Sequence, residues 1–286
     1  MSVPAYSQLT SHSASRVDFP GIAAVRTGGD GPIVLLVPGY TGSKEDFAPL
    51  LDPLASAGFD AVAIDLPGQQ DSPALLHEDD YLPAKLGARL AELIGSFDRP
   101  VILLGHSYGG LACRHAVLTG ARVVGLTLLA SGPGELPAGG RRQILELGES
   151  LLREHGVAAV QRAMDVLNSS NPRWQNMSEP LRAFLRTRFL RHDMAALIGM
   201  GRGIRDEPDL VPELARTLRS TGAACLVACG ALDDVWPPAQ QREMAERLEA
   251  DFSLIGGSVH SPSVENPEEL LAVLLPTWKT WLDGHM

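Results

Sequence analysis

The sequence predicts an α/β fold: a mostly parallel, doubly wound sheet carrying one long helical insertion. Three observations predict it. Short runs that are apolar at every position alternate with longer segments of helical periodicity. Each of those runs ends in a turn rich in Gly, Pro or Asp. Between residues 134 and 221 the alternation stops, and only helical patterns occur.

The elements follow in order. Ile33–Val37 is a continuous apolar run ending at Pro38-Gly39, and a helix pattern covers about Lys44–Ala57. Ala61–Ile64 ends at Asp65-Leu66-Pro67-Gly68, before a helix over Leu82–Ser96. Val101–Leu104 runs into Gly105, with a helix over Tyr108–Thr119 directly behind it. Val123–Leu129 ends at Ser131-Gly132-Pro133-Gly134. The insertion reads as helices over Arg141–His155, Val157–Leu167, Glu179–Phe189, Met194–Gly201 and Val211–Leu218, punctuated by Asn168-Ser169-Ser170-Asn171-Pro172. Ala224–Ala228 ends at Gly230, and helices over Pro238–Ala250 and Pro267–Leu282 flank a last strand that stops before Gly256. Runs with no polar position fit strands covered on both faces, as in parallel sheets. The first 15 residues form a loose lead-in. Ligands bind such sheets at the carboxyl ends of the strands, so the insertion is expected to be a lid. Residues 1–133 and 222–286 then form the core and 134–221 the helical cap.

Composition narrows the function. Lys and Arg number 24 against 34 Asp and Glu, a net charge of −10. A nucleic-acid binder normally presents a basic face, and anionic lipid attracts basic segments; this chain offers neither. With 45% hydrophobic residues, 286 residues suffice for a full core. Cys113, Cys225 and Cys229 are too few and too scattered for a disulfide framework, so free thiols in a reducing compartment are expected. Met1–Ser15 lacks a secretory pattern, and no apolar run approaches the roughly 18 residues of a membrane span. These features imply a cytoplasmic protein with a small-molecule substrate; nothing in them specifies an oligomeric state.

The segment that carries chemistry is Leu104-Gly105-His106-Ser107-Tyr108-Gly109-Gly110. A strand enters Gly-x-Ser-x-Gly and a helix leaves it, the context of a nucleophile elbow. The turn strains the serine backbone, lifts the Ser107 hydroxyl above the sheet and sets it at a helix N-terminus, where free N–H groups favour a developing anion. A serine hydroxyl needs a base in hydrogen-bond reach, and that base needs a group to hold its tautomer. Behind such an elbow the chain order is Ser, acid, His. His12 and His285 lie near the ends, His106 and His115 adjoin the elbow, and His77, His155 and His192 precede the strand expected to carry the acid. His260, in Gly257-Ser258-Val259-His260-Ser261-Pro262, is left as base. For the acid, Asp233 and Asp234 follow the strand ending at Gly230, and Glu135 follows the strand before it. Backbone N–H groups of Tyr108 and of Tyr40, in Pro38-Gly39-Tyr40-Thr41-Gly42, are the candidate oxyanion donors.

Together these residues resemble the α/β-hydrolase superfamily. The resemblance spans nearly the whole chain and rests on Pro38-Gly39-Tyr40, Asp65-Leu66-Pro67-Gly68, the Ser107 elbow, Gly230-x-x-Asp233 with Pro237, and His260 followed by Glu265-Asn266-Pro267. It implies a triad of Ser107, Asp233 and His260, and a cap inserted between the sixth and seventh strands. Two departures stand out. Pro38 replaces the histidine that often precedes the oxyanion glycine, and Gly68-Gln69-Gln70-Asp71-Ser72 replaces the usual Gly-x-Gly-x-Ser. Asp65 is expected to hold loop backbone rather than to react.

Relatives that cleave carbon–halogen bonds or epoxides carry Asp at the elbow, where this chain has Ser107. No His-Glu-x-x-His occurs, and no Gly-x-Gly-x-x-Gly follows an early strand, so no metal and no cofactor are expected. The expected reaction is hydrolysis of a small to medium apolar ester or lactone through an acyl-enzyme. C–C bond, thioester or amide hydrolysis and perhydrolysis use nearly the same residues; a non-catalytic ligand receptor is the alternative of another class. Gly39, Trp174 and Trp236 are the candidate pocket residues, with Phe184, Phe189, Met194, Leu197 and Met200 from the cap. Arg141, Arg142, Arg202 and Arg205 are candidates to meet a substrate carboxylate, against a plain solvated face.

Overall fold

The computed structural model describes residues 6–284. His285 lies outside the described residues. Eight strands form one sheet: β1 Ser15–Phe19, β2 Ile22–Arg26, β3 Ile33–Val37, β4 Asp60–Ile64, β5 Val101–His106, β6 Gly125–Leu129, β7 Ala224–Gly230 and β8 Asp251–Ile255. Their order is β1-β2-β4-β3-β5-β6-β7-β8. β1 pairs antiparallel with β2 and β2 with β4; every other pairing is parallel. The chain leaves β3 toward β4 on one side and returns to β5 on the other. Such a reversal opens a crevice at the carboxyl ends of the two central strands.

The helices are α1 Ala48–Ser56, α2 Pro83–Gly95, α3 Tyr108–Leu118, α4 Gly140–His155, α5 Val157–Ser169, α6 Pro172–Gln175, α7 Glu179–Leu190, α8 Met194–Asp206, α9 Val211–Thr221, α10 Pro238–Leu248, α11 Pro262–Glu265 and α12 Pro267–Asp283. Strand side chains alternate between two cores. Ile33, Leu35, Val101 and Leu103 pack with Leu86 of α2, Leu111 of α3, Leu214 of α9 and Met244 of α10. Val34, Leu36, Ile102 and Leu104 pack with Leu50 and Leu54 of α1 and with Leu270, Leu274 and Trp278 of α12. Apolar side chains on both faces explain why the period-2 signal vanishes in these strands.

Three details differ from the sequence reading. β1 and β2 form at the sheet edge, where β1 is largely exposed and carries no continuous apolar run. The expected helix over Lys44–Ala57 is broken into a 3₁₀ turn, Lys44–Phe47, and α1, because Pro49 stands near the new N-terminus and has no N–H to continue the turn. α8 runs on past Gly201 to Asp206, and Gly199 lets it pack closely on the segment before α2: a Cβ there would stand 2.1 Å from the Glu78 carbonyl oxygen. Of the helices between β6 and β7, α9 buries Val211, Leu214, Ala215 and Leu218 in the larger core beside the sheet. No helix among the described residues is long and apolar enough to cross a membrane.

Candidate active site

Ser107 sits between β5 and α3 with φ 55° and ψ −120°. That left-handed conformation is costly for a residue with a Cβ, and the surroundings enforce it. The Ser107 N–H donates to the Leu129 carbonyl at 2.8 Å. A Cβ at Gly105 would stand 2.5 Å from the Gly109 carbonyl oxygen, and one at Gly109 would stand 2.5 Å from the carbonyl oxygens of both Val37 and Pro38. The two glycines let strand, helix and the turn after β3 meet at one point.

The imidazole of His260, on the loop after β8, lies over this point. Its Nε2 is 3.0 Å from Ser107 Oγ. Its Nδ1 is 3.1 Å from Asp233 Oδ1. Asp233 lies past the end of β7 with its carboxylate fully buried. Oδ1 also accepts the Val235 N–H at 2.9 Å, and Oδ2 accepts the Gln241 amide of α10 at 3.0 Å. The two other candidate acids point elsewhere: Asp234 pairs with Arg141 at 2.6 Å and Glu135 with Arg142 at 2.9 Å, both exposed.

The turn after β3 approaches from the opposite side. A Cβ at Gly39 would stand 3.2 Å from the Ser107 Cβ. Gln69 holds the turn's carbonyls, its amide donating to Gly39 O at 2.7 Å and Tyr40 O at 3.1 Å. Among the described residues, the backbone N–H groups of Tyr40 and Tyr108 meet no protein acceptor. Their side chains are engaged elsewhere: the Tyr40 hydroxyl donates to Leu197 O at 2.8 Å and the Tyr108 hydroxyl to Tyr81 O. Asp65 accepts the Lys44 N–H and ammonium, each at 2.8 Å, which fixes loop backbone.

His106, set aside above as part of the elbow, has a definite place. Its ring lies 5.1 Å from that of His260, and its Nε2 donates to the His260 carbonyl at 2.7 Å. Burial, with His260 adding to it, pushes His106 down to about 4. It therefore remains neutral near pH 7. The contacts of Gln69 and Gln241 are invisible to motif reading, since an amide in a loop or helix carries no signal of what it will reach; His106 stands in the motif, but its reach to the His260 carbonyl does not.

Above the serine lies a cavity of about 580 Å³ lined by Gly39, Tyr40, Ser107, Trp236 and His260 and walled by α4 and α5. Trp236 is fully buried, with its ring 6.5 Å from that of His260. α4 contributes Ile144, Leu147 and Leu151, and α5 contributes Val160, Met164 and Leu167. These positions repeat at helical spacing, so each helix lays one aliphatic stripe along the cavity, with Ile144, Leu147 and Leu167 still largely exposed. Phe189 also lines the cavity. Trp174 does not: it sits on α6 under the Arg186 guanidinium, 5.6 Å from the ring centre. Phe184 likewise carries Arg188 over its ring. Arg202 pairs with Asp79 and Arg205 with Glu149, so these cations are already matched. Among the described residues no cluster of His, Cys, Asp and Glu is arranged to hold a metal ion.

A strained serine at a strand–helix bend, an imidazole beside it and a carboxylate behind the ring define a serine-hydrolase architecture. The family model for the alpha/beta hydrolase family matches residues 34–273, and the chain belongs to that family. It is 29% identical over 255 residues to the pimeloyl-[acyl-carrier protein] methyl ester esterase of Stenotrophomonas maltophilia (strain R551-3), covering 86% of this chain and 92% of that one. Among solved structures it resembles a carboxylesterase of the thaumarchaeon Nitrososphaera gargenis, with TM-score 0.73 and 17% identity over 94% of this chain and 100% of that one. It also resembles the enol-lactonase of Burkholderia xenovorans LB400, with TM-score 0.72 and 20% identity over 94% and 100% of the two chains.

Proposed function

We propose that this hydrolase cleaves carboxylic esters of apolar acyl groups through an acyl-enzyme on Ser107. The observation that carries the reading is the continuous chain from Ser107 Oγ through His260 to Asp233, at 3.0 and 3.1 Å, on the floor of an aliphatic cavity. The activities of the esterase and lactonase relatives agree with it.

Ser107 Oγ attacks the ester carbonyl carbon while its proton passes to His260 Nε2. Asp233 accepts the Nδ1–H of His260 and stabilises the imidazolium. The N–H groups of Tyr40 and Tyr108 take the oxyanion, each worth about 2.7–4 kcal/mol in a comparable site. The alcohol leaves with the proton from Nε2. Water then gives a proton to Nε2, attacks the acyl carbon, and Ser107 regains its proton as the acid departs. Residues 134–206 close over the site, with α4 and α5 receiving the acyl chain. Three unpaired, buried cysteines accord with a cytoplasmic setting.

The stripes of α4 and α5 set the substrate. Each methylene buried against them contributes about 0.8 kcal/mol, roughly a fourfold gain in kcat/KM. A series of p-nitrophenyl esters from acetate to decanoate should climb by that factor per carbon before levelling, and Ser107→Ala should abolish turnover throughout. A maximum at acetate, or persistent turnover by Ser107→Ala, would contradict the reading.

A further inference from the structure

The sequence motif around His260 contains a residue the triad leaves without a task. Glu265 closes α11, five residues after His260, and its side chain is 15% exposed. Its Oε2 accepts the Val259 N–H at 2.6 Å and the Ser261 N–H at 3.1 Å, with the Ser258 hydroxyl at 3.4 Å. Val259 and Ser261 are the residues on either side of His260. Their N–H groups have no other acceptor among the described residues. The carbonyl between them, that of His260 itself, is held by His106 Nε2 at 2.7 Å. The histidine's backbone is thus pinned from both sides. Converging N–H groups of this kind form a concavity that favours an anion. Here the anion is built into the chain. The other oxygen of Glu265 accepts Arg173 of α6 at 2.6 Å.

We propose that Glu265 is a positioning residue for His260. The assignment rests on the triad reading above. It acts by fixing the loop so that Nε2 stays within hydrogen-bond reach of Ser107 Oγ while Nδ1 faces Asp233. Catalytic constellations tolerate displacements of only about 0.5 Å, and a 1 Å drift costs about a hundredfold in rate. With the carboxylate removed, two N–H groups beside His260 lose the one acceptor they have among the described residues, and the loop is free to turn them toward water.

The test compares ester hydrolysis in wild type, Glu265→Ala, Glu265→Gln, Arg173→Ala, His260→Ala and the Glu265→Ala/His260→Ala double variant. Glu265→Ala should lower kcat about 30- to 100-fold with KM within about threefold. Glu265→Gln keeps one acceptor oxygen at about half the charge-assisted strength and should recover to within about tenfold of wild type. Arg173 is exposed and should matter less than about threefold. In the His260→Ala background, Glu265→Ala should change the residual rate less than about twofold, because a residue acting through His260 has nothing left to act on. An equal loss in both backgrounds, or a loss in Arg173→Ala as large as in Glu265→Ala, would overturn the assignment. Undiminished kcat in Glu265→Ala with an inactive His260→Ala would overturn this assignment alone. Undiminished kcat in His260→Ala would overturn the triad reading as well.

Discussion

Gln241 offers a sharp perturbation of the acid. It is fully buried on α10, and its amide donates both to Asp233 Oδ2 at 3.0 Å and to the Trp236 carbonyl at 2.7 Å. Gln241→Leu keeps the approximate volume and removes both bonds. A hydrogen bond to a charged group contributes about 1.5–3 kcal/mol, and a buried carbonyl left unpaired costs about 1–3 kcal/mol. The two share one donor group, so their loss should destabilise the fold by about 3–5 kcal/mol. Near the melting temperature that lowers Tm by about 6–15 °C for a chain of this size. The carboxylate keeps only the Val235 N–H and His260 to orient it, so kcat should fall about 10- to 100-fold with KM little changed. Gln241→Glu gives the complementary result. Burial and the neighbouring carboxylate both raise the pKa of the introduced acid. Protonated, it donates to Asp233 as the amide does; ionised, it repels it. Its kcat relative to wild type should therefore fall between about pH 5 and about pH 9. Calorimetry and steady-state kinetics read both effects. Unchanged Tm and kcat in Gln241→Leu would refute the claim that Asp233 is held in place from α10.

Two further outcomes follow from the same geometry. His106 and His192 are both buried and pushed down to about 4, chiefly by burial. The unfolded chain takes up their protons near pH 6.5 while the folded chain does not, so the stability they protect is present above that pH and is lost as pH falls toward 4. Each should add about 1.4 kcal/mol per pH unit to the slope of urea-unfolding free energy in that window, and His192→Phe should remove one such increment; an unchanged slope would contradict the burial argument. Gly109→Ala forces a Cβ to 2.5 Å from two carbonyl oxygens and should cost about 3 kcal/mol or more, whereas a Cβ at Gly148, inside α4, meets nothing within 4 Å. Gly148→Ala should raise stability by about 0.5–1 kcal/mol, and thermal melts that rank the two variants the other way would contradict the elbow geometry.

What could be read from the residues follows burial and chain order. β3, β5 and β7 are covered on both faces, so their composition alone marks them as strands. β1 lies at the edge, and its largely exposed residues leave no run to recognise; β2 buries Ile22, Ala23 and Ala24, but its run is short and rich in alanine, a residue that does not mark a strand. Ser107 and His260 are legible because glycine spacing and chain order each leave one candidate. Asp233 and Asp234 are adjacent on a turn, where spacing to Pro237 favours Asp233 but no periodicity marks the inward carboxylate; in the structure the Val235 N–H and the Gln241 amide hold Asp233 inward. Trp174 illustrates the converse. A large aromatic in the cap suggests a pocket wall, yet it is spent on a cation–π contact with Arg186. Glu265 is visible as part of the motif after His260, but its contacts, like those of Gln69, are to backbone groups, which are identical in every residue and leave no trace in a sequence.

Covalent capture of the nucleophile tests the central claim most directly. Wild type treated with an alkyl fluorophosphonate and mapped by peptide mass spectrometry should carry a single adduct, on Ser107. The labelling rate should drop at least about a thousandfold in His260→Ala. An adduct on another residue, or labelling of Ser107 at an undiminished rate without the imidazole, would contradict it.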